Sequence, residues 1–127
     1  MPKETVATDR APQAIGPYSQ GVWAGDFFFL SGQIPLDPAS GSLKGDTIAE
    51  QTEQVMENIA GVLAAAGLDF SNVVKSTIYL VDLADFAIVN EIYGRRFPSA
   101  PPARSTVEVK GLPRSALVEI EMAAWRG

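Results

Sequence analysis

The stretch TIAEQTEQVMENIAGVLAAAG, residues 47–67, decides the fold class. Apolar or half-apolar side chains recur at Ile48, Thr52, Val55, Met56, Ile59, Val62, Leu63 and Ala66. Intervals of three and four put them in one stripe along a helix. Thr47 and Glu50 have the capping-box spacing, in which each side chain satisfies a free N–H of the first turn. Gly67 stands where a left-handed residue ends a helix. Soon after it, NVVKSTIYLV, residues 72–81, is rich in β-branched residues and predicts a strand. A helix with one apolar face, followed by a strand, asks for a sheet to lie on.

Toward the N-terminus, GVWAGDFFFLSG, residues 21–32, reads as a hairpin, with strand formers on both sides of Ala24-Gly25-Asp26. AIGPYSQ, residues 14–20, is a turn-rich approach, and residues 1–13 read as an arm or edge segment. Residues 33–46 read as a loop holding one short strand at most. Toward the C-terminus, Asp82 and Asp85 predict the cap and first-turn charge of a second helix. Its stripe is Phe86, Val89, Tyr93 and Phe97, and Pro98 stops it. Residues 104–109 read as a strand, 111–116 as a turn and 117–125 as a final strand. The order predicts an α+β fold, a mixed sheet with two helices on one face, as a single domain over residues 1–127.

Composition narrows the chemistry. The 127 residues include no cysteine and no histidine. That excludes disulfides, thiolate nucleophiles, Cys- or His-based metal sites and every Ser-His-Asp scheme. Catalysis would have to use carboxylates, Arg, Lys, Tyr, hydroxyls, backbone groups or water. The net charge is −5, with 10 basic residues against 15 acidic. This sign is wrong for a protein that lives on phosphate backbones, although Arg95, Arg96 and Arg104 leave room for a local basic patch. The N-terminus lacks the pattern of a targeting segment, and no apolar run approaches the ~20 residues that span a bilayer. A soluble cytoplasmic protein is expected.

Strand parity adds a geometric expectation. Val118, Ile120, Met122 and Ala124 share one face, and Glu119 and Glu121 the other. In residues 104–109, Val107 and Val109 oppose Arg104, Thr106 and Glu108. If Val107 and Val118 both meet the helices, then Arg104, Thr106 and Glu119 lie together on the helix-free side. That side also carries aromatics from residues 27–29, so it reads as an oligomer interface lined by polar groups.

By spacing alone, Arg104 and Glu119 are more commonly a sheet-surface pair than a site. The functional alternative is a bidentate carboxylate clamp with a water-positioning acid/base. Tyr18 is either a turn residue with a buried ring or a hydroxyl presented to a pocket. Ser31-Gly32 is either a strand terminator or a place of close backbone approach. Asn90 is either a partnered polar group or a pocket amide. No phosphate loop or calcium loop is present, and no metal or other cofactor is expected.

Six segments in order, AIGPYSQ, FLSGQIPLDP, QTEQVMENIAGVLAAAG, VVKSTIYLVDLADFAIVNEIY, PPARSTVEV and LPRSALVEIE, make the chain resemble the RidA (YjgF-type) family over nearly its whole length. The resemblance implies a chorismate-mutase-like fold, a homotrimer with sites between subunits, and cofactor-free hydrolysis of enamine/imine acids such as 2-aminoacrylate and 2-iminobutyrate to 2-keto acids and ammonia. It implies that Arg104 grips the substrate carboxylate and that Glu119 positions or deprotonates water. Tyr18, Ser31, Gly32, Asn90 and Thr106 would line the pocket; many relatives have Cys in place of Thr106. The implied partners are a small imino or keto acid and further copies of the chain, not a membrane, with nucleic acid disfavoured. The competing readings are a single-strand endoribonuclease and a non-catalytic trimeric binder or chaperone-like protein for small carboxylic acids.

Overall fold

In the computed structural model, which describes residues 2–127, the expected helix runs over Ile48–Ala65 (α1). Both arms of the capping box form: the Thr47 side chain accepts from the Glu50 N–H, and the Glu50 carboxylate accepts from the Thr47 N–H. The Glu50 pKa is lowered, chiefly by the hydrogen bond from the Asp46 backbone. At the other end Gly67 adopts φ +76°. Its N–H donates to the Ala64 carbonyl and that of Leu68 to the Leu63 carbonyl, so the last carbonyls are satisfied.

The strands are β1 (Glu4–Val6), β2 (Gly21–Ala24), β3 (Phe27–Gln33), β4 (Val73–Leu80), β5 (Ala103–Glu108) and β6 (Val118–Trp125), and the second helix is α2 (Phe86–Gly94). They form one six-stranded sheet in the order β1-β2-β3-β6-β4-β5, with β4 and β5 parallel and the other pairs antiparallel. β1 lies in the N-terminal arm, while residues 33–46 hold only a single backbone bridge between Leu36 and Leu43. Asp82 caps a short 3-10 turn at Leu83–Asp85, and α2 begins after it without a side-chain cap. The expected cap is thus displaced by one turn.

Both helices cover one face of the sheet. Val55, Met56, Ile59, Val62 and Leu63 of α1 are buried against Phe28, Leu30, Ile78, Leu80, Val118 and Ile120. α2 buries Val89 and Tyr93 on the same side, where the Tyr93 hydroxyl meets that of Ser76 on β4. Removing these apolar side chains from water supplies roughly 1.5–3 kcal/mol for each large one. The opposite face is open and holds Phe27, Phe29, Val107 and Trp125, each 41–49% exposed.

Polar side chains that hydrophobic spacing does not reveal tie the loops to this core. Asn58 of α1 donates to the Ile34 and Leu36 carbonyls. Gln51 donates to the Gly45 carbonyl and accepts from the Leu117 N–H. Gln20 accepts from the Thr8 N–H and donates to carbonyls of Thr8, Ala11 and Pro12, which fastens the N-terminal arm. Each satisfies loop backbone that would otherwise be orphaned by burial.

Candidate active site

The expected placement of Arg104, Thr106 and Glu119 on one face is overturned. In the parallel ladder, Arg104 lies opposite Ser76, Thr106 opposite Ile78 and Glu108 opposite Leu80. Ser76, Ile78 and Leu80 are buried toward the helices, so Arg104 and Thr106 point there too. Glu119 lies opposite Tyr79, on the open face. Alternation puts Arg104 on the helix-free side only if Val107 faces the helices. β5 is an edge strand, and its Val107 is on the open face with 41% exposure.

The chain therefore carries two separate groups of candidate residues. The first lies beneath α2. Arg104 Nη1 donates to Asn90 Oδ1 at 2.8 Å. Its guanidinium lies 5.1 Å from the Tyr93 ring centre and 5.5 Å from that of Phe86. These are cation–π distances. Among the described residues no carboxylate pairs with Arg104. Thr106 Oγ1 is buried without a hydrogen-bond partner. Sequence spacing assigned Phe86 and Tyr93 to the helix core; the fold also makes them the walls that orient Arg104. Burial raises the Tyr93 pKa, partly opposed by the Ser76 hydroxyl and the Arg104 charge.

The second group is on the open face. β3 continues through Ser31-Gly32 instead of ending there, and its pairing with β6 shifts between Leu30 and Gln33. This irregularity leaves Gly32 beside Glu119, so that a Cβ on Gly32 would overlap the Glu119 carboxylate. The Ser31 hydroxyl donates to the Ser19 carbonyl, anchoring the loop that carries Tyr18. Tyr18 is half-exposed, contrary to the buried-ring alternative, and its hydroxyl accepts weakly from the Ile15 N–H at 3.4 Å. Burial raises the Glu119 pKa, and the nearby Glu121 charge raises it further. Glu121 accepts a hydrogen bond from the Tyr79 hydroxyl at 3.1 Å.

Arg104 and Glu119 thus stand on strands about 10 Å apart with β4 between them, offset along β4 from Ser76 to Tyr79, and point to opposite faces. They form no ion pair. One group holds a cation among neutral partners, and the other holds a half-buried carboxylate.

The endoribonuclease L-PSP family model matches residues 8–126. The chain belongs to this family, the RidA (YjgF-type) family that its sequence resembles. It is 59% identical to Protein DfrA of Myxococcus xanthus over 98% of this chain and 96% of that one. It is 46% identical to the 2-iminobutanoate/2-iminopropanoate deaminase of Mus musculus over 98% of this chain and 93% of that one. Among solved structures, RidA from a Psychrobacter species superimposes with TM-score 0.92 at 41% identity, covering 96% of this chain and 98% of that chain. E. coli TdcF with bound serine superimposes with TM-score 0.91 at 40% identity, covering 98% and 99%. These neighbours agree with the α+β family fold expected from the sequence.

Proposed function

We propose that the protein hydrolyses 2-imino acids to 2-keto acids and ammonia, at a site shared between two copies of the chain. The observation that carries this reading is the setting of Arg104. Its guanidinium is oriented by Asn90, Phe86 and Tyr93, and no carboxylate neutralises it. Such a fork is prepared for a carboxylate from outside the chain. The deaminase name of the mouse relative supplies the substrate class.

An imine carbon is already electrophilic, so hydrolysis needs no strong nucleophile. With the substrate carboxylate on Arg104, a water held by Glu119 attacks the imine carbon and gives up one proton to the Glu119 carboxylate. Glu119 returns that proton to the nitrogen, giving a carbinolamine. The carbinolamine hydroxyl proton then moves through Glu119 to the amine, the C–N bond breaks, ammonia leaves and the keto group forms. Orientation and proton transfer are the protein's contributions. Because Arg104 and Glu119 face opposite ways on one sheet, one copy supplies Arg104 with Asn90 and Thr106. The other supplies Glu119 with Gly32, Ser31 and Tyr18. The exposed aromatics of the open face suit burial against other copies, and a homotrimer closes such a contact symmetrically.

The test couples a threonine or serine dehydratase to this protein and follows keto-acid release. Acceleration by the wild type and none by Arg104→Ala is the expected result. No acceleration by the wild type, or full acceleration by Arg104→Ala, would sink the proposal. RNA cleavage is disfavoured by the same charge map. Arg95 pairs with Glu53 at 3.4 Å and Glu91 at 3.0 Å, and Arg96 with Glu57 at 2.7 Å, so two of the three arginines of the anticipated basic patch are paired and Arg104 stands alone.

A further inference from the structure

A cavity of about 340 Å³ opens between the Tyr18 loop, the end of β3 and the turn that precedes β6. Its lining includes the apolar residues Ile15, Ile34 and Leu36, together with Tyr18, Gly32 and three glutamines. Gly32 is the residue that backs onto the Glu119 carboxylate. Arg114 is the one charged residue lining the cavity, and it pairs with no carboxylate among the described residues.

The backbone at Arg114 is unusual. Arg114 has φ 61° and ψ 22°, and Ser115 follows with φ 58°. Two consecutive residues with a Cβ in the left-handed region are strained, and such strain is enriched where a side chain must be aimed. Pro113 leads into the pair, so the direction in which the Arg114 stem leaves the turn is constrained on both sides.

We propose that this cavity receives the substrate side chain, and that Arg114 makes it selective for 2-imino acids bearing a second acidic group. This rests on the reading above, in which Arg104 of the neighbouring copy holds the carboxylate next to the imine. Two anionic positions are then separate: one at Arg104, beside the reacting carbon, and one at Arg114, in the lining of a largely apolar cavity. A neutral side chain gains only apolar contact there. A side-chain carboxylate also gains a charge-assisted hydrogen bond.

The keto-acid products provide stable probes. Calorimetric titration of the 127-residue chain would compare 2-oxoglutarate with 2-oxopentanoate, which has the same chain length and no second carboxylate. The wild type should bind 2-oxoglutarate about fivefold more tightly, as expected for one partly exposed charge-assisted contact. Arg114→Gly suits the left-handed backbone and should fold at least as well as the wild type. It should lose the preference while keeping its affinity for 2-oxopentanoate. Equal binding of the two acids by the wild type, or a preference that survives in Arg114→Gly, overturns this proposal and leaves the deaminase reading standing. Binding of neither acid by the wild type overturns both.

Discussion

The two halves of the candidate site solve opposite electrostatic problems. Arg104 lays its guanidinium against two aromatic faces and an amide oxygen, with solvent still within reach. Glu119 is half-buried beside the Gly32 backbone, and this burial, with the nearby Glu121 charge, makes ionisation harder and raises its pKa. A permanent cation suits a holding role. A carboxylate whose proton affinity has been raised suits proton transfer. Residues two strands apart have been given different environments by one sheet, because its faces differ: one is covered by helices and the other is open.

The sharpest way to break this comparison is to place the two losses on different copies. Arg104→Ala and Glu119→Ala should each abolish deaminase activity. Co-refolded in equal amounts, they should recover activity, since random mixing puts both intact groups in about a quarter of shared sites. Recovery to roughly that fraction of wild type is the expected assay result. No recovery would place both groups in one chain's site.

Gly32→Ala attacks the Glu119 half alone. The new methyl must displace the carboxylate, so activity should fall about 10- to 100-fold, with roughly 1–3 kcal/mol lost in denaturant unfolding. Asn90→Ala attacks the Arg104 half alone. It removes the hydrogen bond that aims the guanidinium and should raise KM about tenfold, in line with one bond to a charged group. Thermal stability should change little, because Asn90 is exposed. Activity that is indifferent to Asn90→Ala would show that the aromatic walls suffice.

Glu121→Gln is the mildest change. Removing a like charge lowers the Glu119 pKa, so the acid limb of the kcat/KM profile should move to lower pH while the plateau stays. The sign for stability follows from the same shift. A carboxyl whose folded-state pKa is raised makes the folded state less favourable as pH rises from the unfolded pKa through the folded one. Glu119→Gln should therefore stabilise the protein above that window and make no difference below it, as read from denaturation midpoints across pH.

Much of the fold was legible because it rests on local rules. The period of α1, its capping box and Gly67 each act within a few residues, and so does the alternation that buries Val118, Ile120, Met122 and Ala124. At Ser31-Gly32 two readings stayed open, and an irregular register carries the strand one residue further and brings the Gly32 backbone close to Glu119, as the close-approach alternative has it. Spacing was silent on Gln20, Gln51 and Asn58, because a buried amide that holds loop backbone resembles any surface amide in a sequence. Arg114 left no signal beyond a Pro-containing turn.

Local patterns were enough for both helices, for the strands that follow residue 20 and for the residues able to hold a carboxylate or move a proton, in a chain with no histidine or cysteine. Which side of the sheet each of those residues takes came from strand pairing. Alternation relates residues within one strand, whereas the absolute face depends on the neighbouring strand's direction and register. The parallel pairing of Arg104 with Ser76 turned the guanidinium beneath α2, and the antiparallel pairing of Glu119 with Tyr79 left the carboxylate on the open face.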